Sequence, residues 1–138
     1  MNPFFLIRRA LFLQIKALAP QLNGHLLDFG CGAKPYQKLF HVAQYTGVDI
    51  ENPAHPHGQE PVDVFYDGKT LPFPDETFDS FLSSEVFEHV FNPDEMLIEI
   101  HRVLKPGGKG LISTPFVWNS CDSPAGGGTA RADEEWSM

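Results

Sequence analysis

The sequence predicts an α/β fold: a doubly wound, mostly parallel sheet of about five strands with helices on both faces. Three observations carry this. Short apolar runs alternate with helical or punctuated stretches along the chain. A two-glycine turn, Gly30-Cys31-Gly32, follows the first apolar run directly. Polar residues suited to holding a ligand fall at the carboxyl ends of successive runs, where open α/β sheets place their ligands.

Length and charge bound the rest. A chain of 138 residues is one domain with room for a single sizeable core. Its net charge of −8, with no basic block longer than Arg8-Arg9, speaks against nucleic-acid binding, which is largely electrostatic. Cys31 and Cys121 lack the spacing of a zinc or redox pair and read as free thiols in a reducing cytosol. The apolar N-terminus is interrupted by Arg8, Arg9 and Lys16, so it is too short to span a membrane, and its charges are misplaced for a signal peptide. The expectation is a cytoplasmic protein without a membrane partner.

Taken in order, residues 1–24 form an amphipathic helix packed on the domain, with Ile7, Leu11, Ile15 and Leu18 at helical spacing. A helix lying on a membrane surface is the alternative. Pro20 and Asn23-Gly24 end it. Residues 25–117 form the ligand-binding domain. Its first strand is His25 to Phe29, and after the glycine turn Pro35 opens a helix running through Val42. Tyr45 to Ile50 is the second strand. Residues 51–58 carry two prolines and a glycine, so the following crossover is abbreviated. Val62 to Tyr66 is the third strand, Leu71 to Asp75 a rigid loop, and Phe78 to Leu82 the fourth strand. A helix begins after Asn92, with Asn92 and Glu95 forming a capping box, and Lys105-Pro106-Gly107-Gly108 stops it. Gly110 to Thr114 is the fifth strand. Residues 118–138 are an irregular polar tail.

The turn departs from a dinucleotide fingerprint, because Pro35 stands where a third glycine would allow close packing under a pyrophosphate. Asp28, two residues before Gly30, would repel a pyrophosphate and welcome an ammonium group. Both argue against NAD or FAD and a nicotinamide oxidoreductase. Asp49 suits ribose hydroxyls, and Asp67 suits an adenine amino group. The implied ligand is a nucleoside with a cationic amino acid arm and no phosphates.

Six blocks in order carry a family resemblance: Leu26-Leu27-Asp28-Phe29-Gly30-Cys31-Gly32, Gly47-Val48-Asp49, Asp67 with Leu71-Pro72-Phe73, Phe78-Asp79, Glu88-His89-Val90, and Arg102 through Gly108. In these the chain resembles a class I S-adenosylmethionine-dependent methyltransferase of the small-molecule type, with a Rossmann-like sheet. The resemblance implies S-adenosylmethionine as cofactor and a small-molecule acceptor. It implies that Gly30, Cys31 and Gly32 bring backbone to the methionine arm and that Asp28 faces its ammonium. Asp49, with Ile50 beside it, would hold the ribose. Asp67 and Gly68 would meet adenine, and Ser84 and Glu85 would line the arm. Methyl transfer from a sulfonium needs mainly positioning.

His89 is the candidate general base, with a helix-start packing role as the alternative. Glu85 and Glu88 contact ligand or face solvent. His55 and His57 flank a proline in a loop and read as polar loop residues, and no metal site is expected. Asp75, Glu76 and Asp79 read as a solvated loop, with Asp79 capping the strand entrance. The sequence stops twenty-four residues after Thr114, before the strands that usually complete such a sheet. An open edge at the fifth strand would follow, covered by a homodimer or another device. A non-catalytic cofactor-binding module is the alternative to an active transferase.

Overall fold

The computed structural model describes residues 3–51 and 60–115. Five strands form one sheet: β1 (His25–Phe29), β2 (Gln44–Ile50), β3 (Val64–Tyr66), β4 (Phe78–Ser84) and β5 (Leu104–Ser113). Every pairing is parallel and the spatial order is β3-β2-β1-β4-β5. The chain leaves β1 for β2 and β3, then returns across β1 to lay down β4. This reversal opens a crevice at the carboxyl ends of β1 and β4.

Strands of a parallel sheet are covered on both faces, and β1 reads accordingly, with Leu26, Leu27, Asp28 and Phe29 all buried. Leu27 and Phe29 point to one face, where Met96, Ile100 and Val103 of helix α2 (Pro93–Val103) pack with Phe78, Phe81 and Leu71. Leu26 points to the other, against Ile15 of helix α1 (Pro3–Leu18), Ala19, Leu22, Phe40 and Leu82. Helix α1 docks only by its second half. Ile15 is 2% exposed, whereas Ile7 is 59% exposed and Phe4, Phe5 and Leu6 are exposed with it. The stripe expected from Ile7 to Leu18 is therefore shorter by its first member.

Three local expectations are corrected. No α-helix follows Pro35; a single 3-10 turn, Gln37–Leu39, occupies the crossover instead. Lys34 takes φ +52° and buries its ammonium against Asp63 Oδ2 at 2.5 Å, which turns the chain out of a helical path. Asn92 does not cap α2 by its side chain; its Nδ2 donates to Glu95 Oε2 at 3.1 Å. Lys105-Pro106-Gly107-Gly108 is not a loop after the helix but lies inside β5. The pairs Phe78↔Leu104 and Ser80↔Lys109 bracket it, so β5 advances five residues while β4 advances two. Gly107, at φ +76°, absorbs the excursion. The strand starts at Leu104 because Leu104 adopts extended backbone immediately after the last helical residue.

Asp75 and Glu76 of the charge run are exposed, and Asp79 caps the strand entrance, as expected. Asp79 accepts the His25 amide at 2.8 Å and the Lys105 ammonium at 2.8 Å, joining the entrances of β1, β4 and β5. Asp75 pairs with Arg102, whose guanidinium also grips Glu99 and the carbonyls of Leu71 and Phe73. One arginine thus pins the rigid loop to α2. The expectations for His55 and His57, and for residues 118–138, lie outside the described residues. No described helix is long and apolar enough to cross a membrane.

Candidate functional site

The glycine turn is anchored to the neighbouring strand. The amides of Gly30 and Cys31 both donate to the Val48 carbonyl, at 2.9 and 3.1 Å. Gly30 (φ +70°) and Gly32 (φ +44°) take backbone that L side chains rarely adopt. Their surroundings differ. A Cβ on Gly30 would stand 2.4 Å from Val86 Cγ2, while one on Gly32 would meet nothing within 4 Å. Gly30 is thus demanded by close packing on the segment after β4, and Gly32 leaves open space above the turn.

A cavity of about 340 Å³ opens beside the turn, over Gly30. Gly30 and Phe29 form its floor, Asp49 and Ile50 one side, Tyr66 and Gly68 the far end. Glu85, Val86, His89, Val90 and Phe91 close the opposite side. Asp49 is held by two amides: Gly32 N–H donates to Oδ2 at 2.9 Å and Ile50 N–H to Oδ1 at 2.8 Å. Two fixed donors set the carboxylate's plane and leave its other lone pairs to accept from a ligand's hydroxyls. Glu85 has φ +55°, a left-handed conformation unusual for a non-glycine residue, and its amide donates to the Ser113 carbonyl at 2.8 Å. Strained backbone of this kind, held by a β5 contact, aims Glu85 at the crevice.

Of the residues expected from sequence, Gly30, Asp49, Ile50, Gly68, Glu85 and His89 come together in this cavity. Ser84 lines a second cavity beside it, together with Glu85. Asp28, Cys31, Gly32 and Asp67 line neither. Asp28 is buried on the α1 face of β1, 4% exposed, and accepts the Tyr45 hydroxyl at 2.5 Å. Burial pushes its carboxyl up to about 6, against the pull of Tyr45 and Lys34. Burial likewise raises the Cys31 thiol to about 12, with Asp28 and Asp49 adding to it, so the thiol is inert. Asp67 closes its own turn, its Oδ1 accepting the Lys69 and Thr70 amides at 2.8 and 2.9 Å. His89 is largely exposed and stands 3.8 Å from Glu88.

Sequence reasoning passed over the apolar lining. Phe29, Tyr66, Val86, Val90 and Phe91 supply surface on which a planar base would rest. Tyr66 is the last residue of β3, so its place at a carboxyl strand end was visible. Its hydroxyl is raised to about 12 by burial, with Asp49 and Asp67 adding to it, so it stays protonated and can donate. The residue set fits an adenosyl ligand: a carboxylate for ribose, apolar walls for the base, and open backbone at Gly32 for an arm.

Comparison with known proteins gives the same picture. A family model described as a methyltransferase domain matches residues 27–112. An uncharacterized protein of Methanocaldococcus jannaschii is 38% identical over 104 residues, which cover 72% of this chain and 49% of that one. An uncharacterized methyltransferase of Mycobacterium leprae is 36% identical over 104 residues, 69% of this chain and 38% of the other. The fold is shared with an S-adenosylmethionine-dependent methyltransferase from Mesorhizobium loti, at a TM-score of 0.58 and 23% identity, over 74% of this chain and 52% of that one. The chain spans about half or less of the length of the curated relatives it matches.

Proposed function

Starting from a chain that belongs to the class I S-adenosylmethionine-dependent methyltransferases, we propose that it transfers the methyl group to a small-molecule acceptor, with the first cavity holding the cofactor. One observation carries the reading: Gly30, Asp49, Gly68 and Glu85, from four separate strand ends, line one cavity. When bound, the cofactor supplies a methyl group on a positively charged sulfur that is already a good leaving group. The protein's part is then orientation and exclusion of water. Asp49 accepts from the ribose hydroxyls, and Ile50, Tyr66 and Val90 flank the base. Gly32 admits the arm at the turn, and Glu85 faces the positive charge from the side opposite Asp49.

Asp28 meets the arm's ammonium only if the ligand reaches past the turn, and its buried carboxyl with raised proton affinity would be the electrostatic counterpart of that group. A second copy of this chain covering the outer edge of β5 remains part of the reading, since the described residues of β5 pair on one side only, with β4.

The test is calorimetric titration with S-adenosylmethionine, S-adenosylhomocysteine and NADH, followed by transfer of labelled methyl groups to an acceptor panel. Binding of both adenosyl ligands without NADH is expected. Failure of either adenosyl ligand to bind sinks the proposal. Binding without turnover over a broad panel favours the non-catalytic module.

A further inference from the structure

Beyond Glu85 lies a second cavity of about 480 Å³, lined by Arg8, Phe12, Pro35, Tyr36, Ser84 and Glu85. Resting on the cofactor reading of the first cavity, we propose that this one seats the methyl acceptor. We further propose that the acceptor is a small planar aromatic acid with a nucleophilic hydroxyl or amine opposite its acid group.

Glu85 is the residue both cavities share, so the reacting atoms meet beside it. The remaining walls define the acceptor's body. Arg8 and Phe12 are four residues apart on α1, hence on one helix face. Phe12 stands with its ring centroid 6.5 Å from that of Tyr36, at 39°, and the two rings form an aromatic wall suited to a flat partner. Arg8 makes no ion pair among the described residues, in a chain of net charge −8. A guanidinium that lines the cavity and ion-pairs with no described carboxylate, Glu85 of the same cavity included, matches an anionic group on the ligand, which it can hold by two hydrogen bonds. Arg8 on α1 and Glu85 at the end of β4 line the cavity with side chains of opposite charge. The acid end of the acceptor pairs with Arg8, and its O–H or N–H end points to Glu85. In transfer, the acceptor's oxygen or nitrogen lone pair forms the bond to the methyl carbon. The carbon–sulfur bond breaks with its electron pair left on sulfur as a neutral thioether, and the acceptor's proton passes to the Glu85 carboxylate.

Arg8 and Phe12 precede the residues matched by the family model, which begins at 27, so the match assigns them no role. The experiment titrates 4-hydroxybenzoate and phenol into the 138-residue chain saturated with S-adenosylhomocysteine, alongside Arg8→Gln and Arg9→Gln. Arg8 is exposed and its replacement leaves the core intact. The carboxylate should bind about tenfold tighter than phenol, as expected for one charged hydrogen-bonded contact. Arg8→Gln should erase that difference without weakening S-adenosylhomocysteine, and Arg9→Gln should retain it. Equal binding of the two probes, or no saturable binding of either beside a normal S-adenosylhomocysteine affinity, overturns the acceptor proposal alone. Weaker S-adenosylhomocysteine binding by Arg8→Gln also overturns it, because the cation then serves the cofactor's own carboxylate. No S-adenosylhomocysteine binding at all overturns this proposal and the cofactor reading together.

Discussion

Asp28 gives the most direct test of the electrostatics, through Asp28→Asn. The side chain is buried and its carboxyl is raised from an ordinary 3.8 to about 6, chiefly by loss of water. The folded chain therefore binds this proton more tightly than the unfolded chain does. Stability is greatest below the unfolded value and is lost as pH rises through the window from 3.8 to about 6. At about 1.4 kcal/mol per pKa unit the whole effect is about 3 kcal/mol, of which about 2 kcal/mol falls between pH 4.5 and pH 7.5. The amide of the variant has nothing to titrate and keeps an oxygen for the Tyr45 hydroxyl. Urea unfolding of both proteins across that range isolates the contribution, because other carboxylates titrate equally in each. The variant should gain on the wild type by about 2 kcal/mol from the acid to the neutral end. Parallel stability profiles would mean that Asp28 is not desolvated as the structure has it, and the reasoning would fail.

Three further outcomes follow from the site and the core. Asp49→Ala should weaken S-adenosylhomocysteine by about 1.5–3 kcal/mol, the range for hydrogen bonds to a charged group, and an unchanged calorimetric affinity would remove Asp49 from the ribose. Gly30→Ala should cost about 1–2 kcal/mol from left-handed backbone alone, plus the clash with Val86. Adding Val86→Ala should recover the clash and leave the backbone cost, as measured by a double-mutant cycle in denaturant. Ile15→Ala should lose about 2–4 kcal/mol as a buried core truncation, while Ile7→Ala should stay within about 0.5 kcal/mol. Equal losses would mean that both halves of α1 dock.

The strand framework was legible because parallel strands buried on both faces leave apolar runs that need little context, as in Leu26-Leu27 and Phe81-Leu82. Asp49 and Glu85 were legible for the same reason, since strand ends position them. The crossover after Gly32 was not. Pro35 favours a helix start locally, but a lysine 29 residues from its partner cannot be seen reaching for Asp63, and that contact diverts the chain. Asn92 shows the same failure at shorter range: the capping residues are present, yet the asparagine spends its amide on Glu95. The β5 excursion at Lys105 to Gly108 has the composition of a helix stop, and only the pairing of Leu104 with Phe78 shows the strand already under way. Arg8 and Phe12 escaped notice because nothing in an amphipathic pattern tells which exposed residues of α1 face a neighbouring cavity.

The helix-free crossover has a consequence for hydrogen exchange. Its backbone bonds run only over three residues, from the amides of Lys34, Gln37, Leu39 and Phe40 to carbonyls just behind them. Each can open without unravelling a longer ladder, so these amides should exchange through small local openings. The amides of Gly30 and Cys31 are tied to Val48 in the sheet and should exchange only with its wider opening. The boundary between slow and fast exchange thus falls inside the glycine turn, between Cys31 and Lys34. A ligand seated there would span backbone of both kinds, and deuterium uptake at Lys34 to Phe40 would register its arrival before any change in the strands.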